Sequence, residues 1–379
     1  MNPMKSNHSG YLRLLLTQLY FLIVFAVPVW AQQPPSIHAL SIKPSYGIDM
    51  ANPGGSDRNF LYGLHASYDR DLSASNQPWV NLLHAKGLSF GVLWHNLDHI
   101  KETVDGQAYS HGMAFGVLSE VDFQLAQAGR VKFLFTPGAG LTYITETIDT
   151  QPATTTVGSH LNLTLTAELG MEVPISERTS FLAAASILHY SNGGLKIPNG
   201  GINTVNGTIG VKTALGDAQH TPSTRGSNFE PLLGSSGELV VGMGRRGKYR
   251  TRDGFWRTGI YGGYNYYLNP AFGFKAGLDM VYYHQVFDIK NFDATFQYYG
   301  SSYDRVRLGV SAGAEVAMGR FAVNGMFGKY LHYRSFHGVQ WYWTSALRYH
   351  FTPNIAIQST LYMHRVQADY LNWGVVFRI

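Results

Sequence analysis

Leu161-Asn162-Leu163-Thr164-Leu165-Thr166-Ala167-Glu168-Leu169-Gly170-Met171-Glu172-Val173 is the stretch whose reading decides the fold. Its odd positions are apolar, and its even positions are polar or glycine. Successive side chains of an extended strand leave opposite faces, so this spacing predicts one apolar and one polar face. Val306, Leu308, Val310, Ala312, Ala314, Val316 and Met318 repeat the pattern against Arg307, Gly309, Ser311, Gly313, Glu315 and Ala317. A soluble β-sandwich alternates in the same way, so alternation leaves the solvent of the apolar face open.

Composition chooses the membrane. Apolar residues make up 45% of the 379-residue chain and aromatics 14%, yet charged residues only 14%, against about 25% in an ordinary soluble domain. Beyond Ala31 no apolar run approaches the length of a membrane helix. Low charge and 42 glycines without such runs suit a transmembrane barrel, which shows lipid one side chain in two and pairs its backbone within a closed sheet. Residues 1–31 read as a secretory signal peptide: Lys5 and Arg13 precede an apolar run from Leu14 to Val29, and Ala31 ends the segment. Without that segment 27 Lys and Arg face 24 Asp and Glu, a balance too even to argue for nucleic acid. The absence of cysteine excludes disulfides and thiolate chemistry.

Sixteen candidate strands follow, joined by alternating short and long connections, as in bacterial barrels. Short turns fall at residues 126–129, 174–178, 269–273, 318–320 and 352–354. Two connections, 71–85 and 216–236, break the alternation and read as long periplasmic segments. Tyr264, Tyr266, Tyr267, Trp341, Tyr342 and Trp343 read as girdle residues at the membrane interface. The chain also looks duplicated, with one half at 32–215, a connection at 216–236, and a second half at 237–379. Gly138 and Tyr143 have the spacing of Gly325 and Tyr330, and each half reaches a histidine on its penultimate strand, His189 and His364. The expectation is an all-β antiparallel transmembrane barrel in the outer membrane, with about sixteen strands in one barrel; two tandem eight-stranded barrels are the alternative.

Chemistry concentrates in His189-Tyr190-Ser191-Asn192-Gly193-Gly194-Leu195-Lys196-Ile197-Pro198-Asn199-Gly200-Gly201-Ile202-Asn203. His189 and Ser191 are two apart on a strand end, so they share a face with Cα atoms about 6.5 Å apart. They also share parity with Phe181, Ala183, Ala185 and Ile187. If that face meets lipid, two polar groups point outward, where they are costly without a function. The His-x-Ser-Asn-x-Gly-Leu core followed by Pro-Asn and Gly-Ile resembles the lipid A 3-O-deacylase (PagL-like) family over roughly Ser36 to Leu215. That resemblance implies an eight-stranded barrel that removes an ester-linked acyl chain from lipid A, without metal or cofactor. It implies Ser191 as nucleophile, His189 as its base, backbone amides at Asn192 and Gly194 for the oxyanion, and Asn199 as support for the loop. One position departs from the family: its acidic third member is Asn203 here, which can orient an imidazole but adds no charge. Glu146 is an alternative acid.

Other features read more plainly. Gly87-Leu88-Ser89-Phe90-Gly91 fits Gly-x-Ser-x-Gly, but that motif needs a strand-to-helix elbow and this copy lies within a strand. Arg245-Arg246-Gly247-Lys248-Tyr249-Arg250-Thr251-Arg252 reads as a surface loop, either solvated or in contact with lipid A phosphates. His332, His337 and His350 show no metal spacing, and His364 lacks a serine two residues on. The function expected is therefore an outer-membrane serine esterase acting on lipid A of the lipopolysaccharide leaflet. The alternatives are a non-catalytic pore or envelope barrel, and an esterase for another membrane lipid.

Overall fold

The computed structural model describes residues 38–51, 59–215, 229–230, 232–250, 253–286, 302–335, 338–365 and 367–379. The signal segment, most of the 216–236 connection and His337 lie outside the described residues. The structure is all-β. In the first half the strands are β1 (His38–Asp49), β2 (Phe60–Asp71), β3 (Ala85–Asn96), β4 (Lys101–Val104), β5 (Gln107–Ser110), β6 (Met113–Ala128), β7 (Val131–Ile144), β8 (Leu161–Pro174), β9 (Thr179–Ser191) and β10 (Ile202–Leu215). In the second they are β11 (Gly234–Gly247), β12 (Gly254–Asn269), β13 (Phe272–Tyr283), β14 (Val306–Met318), β15 (Phe321–His332), β16 (Trp341–His350), β17 (Ile355–His364) and β18 (Gln367–Arg378).

Each half closes on itself. β10 pairs back with β1, as at Gly207 with Tyr46, and β18 pairs back with β11, as at Gly374 with Gly242. The result is two closed eight-stranded antiparallel barrels. The tandem arrangement therefore replaces the single sixteen-stranded one. Once both closing ladders form, neither half has a free edge to offer the other. Strands β4 and β5 pair only with each other, as a hairpin above the barrel that the alternation count passed over. The 71–85 connection contains a short helix α1 (Pro78–Leu82) with proline in its first turn, where the missing N–H costs nothing.

The alternation in sequence maps onto the two faces of the sheet. Leu165 and Leu169 of β8 lie outward and exposed while Asn162 and Thr164 are buried inside; β14 repeats this with Leu308 and Val310 against Arg307, Ser311 and Glu315. Of the six expected girdle residues, Tyr264, Tyr266, Trp341 and Trp343 are outward and exposed, whereas Tyr267 and Tyr342 are buried. Adjacent strand residues cannot share a face. Tyr267 instead donates to Glu315 and Tyr342 to Asp279 Oδ2 at 2.5 Å.

The duplication holds in strand order but not in facing. His189 and His364 both lie on the seventh strand of their barrels, yet His364 points inward and meets Tyr330 at 2.6 Å. Tyr143 is exposed on the outside while Tyr330 packs inside its own barrel.

Eight strands leave an interior just wide enough for side chains, and both interiors are filled with paired charge. In the first, Lys43 reaches Glu168 at 3.1 Å and Glu120 at 3.9 Å, and Lys212 reaches Glu172 at 3.6 Å. In the second, both Glu238 oxygens accept from Arg348 at 2.7 Å, and one of them also from Lys275 at 2.6 Å. Removing one member of such a buried group strands the others without water. Glu238→Gln is therefore expected to lower the unfolding free energy by about 3–5 kcal/mol, measured by urea titration of the folded protein in detergent. The filled interiors also predict no porin-like conductance steps in a planar bilayer, and regular open-channel steps would contradict this packing.

Candidate active site

His189 and Ser191 close strand β9 at the loop end of the first barrel. Phe181 and Ile187 of the same parity are exposed, while Ser186, Leu188 and Tyr190 are buried inside. Tyr190 is fixed there by a 2.6 Å contact to His95 Nδ1. The face that His189 and Ser191 share with Phe181 and Ile187 is thus the outward one. Antiparallel register sets Asn203 of β10 directly opposite His189, and Asn203 Oδ1 lies 2.7 Å from His189 Nδ1. An amide oxygen only accepts, so Nδ1 donates and the lone pair is left on Nε2. Asn203 thus orients the ring and selects the tautomer a base needs. Glu146 is instead engaged by Gln151 at 3.1 Å.

Ser191 Oγ accepts from Asn199 Nδ2 at 2.8 Å and, more weakly, from the Gly193 amide at 3.3 Å. Its own proton remains to be donated. Among the described residues no hydrogen bond joins His189 to Ser191. A Cβ placed on Gly201 would lie 3.1 Å from His189 Cε1 and 3.7 Å from Ser191 Cβ, so the free edge of the ring and the serine flank one point. Catalytic contacts of this kind are often long without substrate and tighten with it.

The loop after Ser191 is built by Asn192. Its Oδ1 accepts from the Gly194 amide at 3.0 Å, and its Nδ2 donates to Lys196 O at 2.9 Å and to Ser159 Oγ at 3.0 Å. Of the amides expected to hold an oxyanion, that of Gly194 is therefore occupied within the loop. Gly193, which the sequence reading did not single out, supplies the amide facing Ser191. Gly193 and Gly194 have φ of +65° and +85°, the left-handed region where a side chain is strained.

Two family models match the chain: "Lipid A 3-O-deacylase (PagL)" over residues 62–212 and "Acyloxyacyl hydrolase, C-terminal domain" over residues 235–379. Each barrel thus matches a family model of its own, the first that of the lipid A 3-O-deacylases. The first match contains the whole constellation of His189, Ser191, Asn199 and Asn203, and the second spans the other barrel. Among solved structures, the chain is similar to the outer membrane enzyme PagL, with 17% identity over 46% of this chain and 99% of that one at a TM-score of 0.31. It is similar to Neisserial surface protein A, with 11% identity over 46% and 96% at 0.29, and to CdiB from Acinetobacter baumannii, with 11% over 92% and 61% at 0.19. No curated protein sequence matches. With these matches and its two closed barrels, the chain is an outer-membrane β-barrel protein.

The other singled-out residues fall away from this site. Ser89 of the Gly-x-Ser-x-Gly stretch is buried within the first barrel. Only part of the Arg245 run is a surface loop: Arg245, Arg246 and Gly247 end β11, and Arg246 is buried, donating to Asp369 O at 2.5 Å, whereas Lys248 and Arg250 lie exposed in the turn that follows and residues 251–252 lie outside the described residues. His332 meets Asp304 at 3.0 Å, and His350 packs against Phe229. No cluster of residues suited to a metal occurs among the described residues.

Surrounding loops brace the site from above. Glu102 of the β4–β5 hairpin accepts from the hydroxyls of Thr155 and Thr156, both at 2.7 Å, and from their amides at 2.9 and 3.0 Å. Thr155 and Thr156 in turn accept from the Gly200 and Gly201 amides at 3.0 and 2.9 Å. Burial raises the Glu102 carboxyl pKa, but these hydrogen bonds outweigh it and the net shift is downward. Nearby His111 is pushed down to about 4 by burial, against the opposing pull of Glu102. A histidine with a lowered pKa favours folding fully above its unfolded value near 6.5 and loses that contribution as pH falls toward 4. The hydrogen-exchange protection factors of residues 97–112, corrected for the intrinsic pH dependence of exchange, should fall across that window, and His111→Asn should flatten the dependence. An unchanged slope in the variant would show that another group titrates.

Proposed function

We propose that the chain is a serine esterase that hydrolyses an ester-linked acyl chain of lipid A at the outer leaflet. The observation carrying this reading is the placement of His189, Ser191 and Asn203 on the outward face at the loop end of a PagL-family barrel. A lipid ester reaches such a site from the membrane side without entering the filled interior.

In this mechanism Ser191 Oγ attacks the ester carbonyl carbon while its proton passes to His189 Nε2. The carbonyl oxygen becomes an oxyanion beside the Gly193 amide and Asn199 Nδ2, the donors nearest Ser191 Oγ. Collapse breaks the ester C–O bond, and His189 returns the proton to the sugar alkoxide, leaving an acyl-serine. Water, deprotonated by His189, then attacks the acyl carbon; the bond to Ser191 Oγ breaks, His189 returns the proton to Oγ, and the free fatty acid leaves. Asn203 keeps Nε2 directed at the chemistry but adds no negative charge to stabilise imidazolium.

Mass spectra of lipid A from cells carrying the intact protein should lose one hydroxyacyl mass, and spectra from Ser191→Ala cells should not. Identical spectra, with both proteins folded in the outer membrane, would defeat the proposal, and serine-dependent loss from phospholipid alone would change the substrate. Asn203→Ala should lower kcat about 100-fold, the cost of an imidazole misplaced by about 1 Å, with KM nearly unchanged.

A further inference from the structure

The loop that carries the site is held from outside its own barrel. The Gly247 amide at the end of β11 donates to Gly194 O at 2.9 Å, and the Arg250 amide donates to Ile197 O at 2.8 Å. The Arg250 guanidinium also donates to Pro152 O at 2.8 Å and Ala153 O at 3.3 Å, in the loop after β7 that hydrogen-bonds Gly200 and Gly201. These bonds run from the end of β11 and the turn after it to carbonyls of the turn that follows Ser191 and of the loop that braces it.

Packing agrees with the hydrogen bonds. Leu371 of β18 faces outward, yet it is buried rather than lipid-exposed. A Cβ placed on Gly193 would lie 3.5 Å from Leu361 Cδ1 and 3.7 Å from Leu371 Cβ, and one on Gly194 would lie 3.2 Å from Asp369 O. That carbonyl sits at a register shift between β17 and β18, an irregularity held from inside by Arg246, which donates to Ala368 O at 2.9 Å as well as to Asp369 O. The fit is closest at Gly247, where a Cβ would stand 2.7 Å from Lys196 Cα and 2.8 Å from Leu195 O. Both neighbours are backbone, so a side chain there displaces the loop.

We infer that the second barrel is a positioning element for the first: Gly247 and Arg250 fix the Gly193–Pro198 loop, and through it the Gly193 amide and Asn199 beside Ser191. The inference rests on the esterase reading above. It gives the barrel without a catalytic serine a part in the reaction, through main-chain contacts rather than through a second site. A loop with two adjacent left-handed glycines has much backbone freedom to lose, and the second barrel removes that freedom before substrate arrives.

The test uses the full chain, with wild type, Gly247→Ala, Arg250→Ala and, as control, Gly262→Ala, where an added Cβ has nothing within 4 Å. Folding is checked by heat-modifiable electrophoretic mobility. Two rates are then read: acyl release from purified lipid A, and labelling of Ser191 by a long-chain fluorophosphonate. Gly247→Ala is expected to lower kcat about 10–100-fold with KM within about two-fold, as for a misplaced reacting group, and to slow labelling in parallel. Arg250→Ala should do the same more weakly, and Gly262→Ala should match wild type. Absence of serine-dependent acyl release in wild type would remove the esterase reading and this inference with it. Wild-type activity retained in folded Gly247→Ala would remove this inference alone, and a rise in KM at constant kcat would replace positioning with substrate binding.

Discussion

Backbone hydrogen bonding within hydrocarbon is the constraint from which the rest of this structure follows. Every N–H and C=O of a membrane strand must find its partner in the sheet, and only closure leaves none over. This chain satisfies the requirement twice, at β1 with β10 and at β11 with β18. Closure at eight strands then dictates the interior, because so narrow a barrel is filled by its own side chains. With the inside occupied by interlocked charge such as Glu238, Lys275 and Arg348, an active site has only the outer wall and the rim available. The constellation of His189, Ser191 and Asn203 lies where those two meet.

The neighbouring loops supply what a strand end lacks. A β-strand places His189 and Asn203 accurately because ladder hydrogen bonds fix both backbones, but the turn after Ser191 has no ladder. Its order comes from Asn192 within the loop, from Thr155 and Thr156 above it, and from Gly247 and Arg250 beside it. The hairpin β4–β5 contributes through Glu102, whose carboxylate gathers the two threonines.

Much of this was legible in sequence because a strand's two-residue period is strict. Leu161 to Val173 announced its two faces, and parity set His189 and Ser191 on one face with Phe181 and Ile187, although which face met lipid was left open. The motif around Ser191 then led to Asn203, which lies in hydrogen-bond contact with the histidine, and to Asn199, read as support for the loop and in hydrogen-bond contact with the serine. What stayed hidden depends on contacts between distant residues. One barrel or two is decided by which strands pair at the seam, and local alternation is identical in either case. Tyr267 and Tyr342 looked like girdle residues because aromatic content was read without parity, although their neighbours Tyr266 and Trp343 already claimed the outer face. Arg246 and Arg250 looked like a charged loop because nothing local reveals that one lies inside a barrel and the other against a neighbouring loop. The hairpin β4–β5 was missed because its four-residue strands are too short to establish a period.

The direct opposition of Asn203 and His189 also makes the site sensitive to slippage. The pairing of β9 with β10 is one alignment among several that differ by single residues, and a one-residue slip turns every side chain to the other face. In the slipped arrangement His189 would sit beside Thr204 or Ile202 rather than Asn203, and the imidazole would lose its orienting oxygen although every residue of the constellation was still present. Apolar outer positions such as Ile187, Val205 and Ile209, which touch none of the chemistry, thereby act as its alignment marks: it is their preference for lipid that keeps the two strands in step.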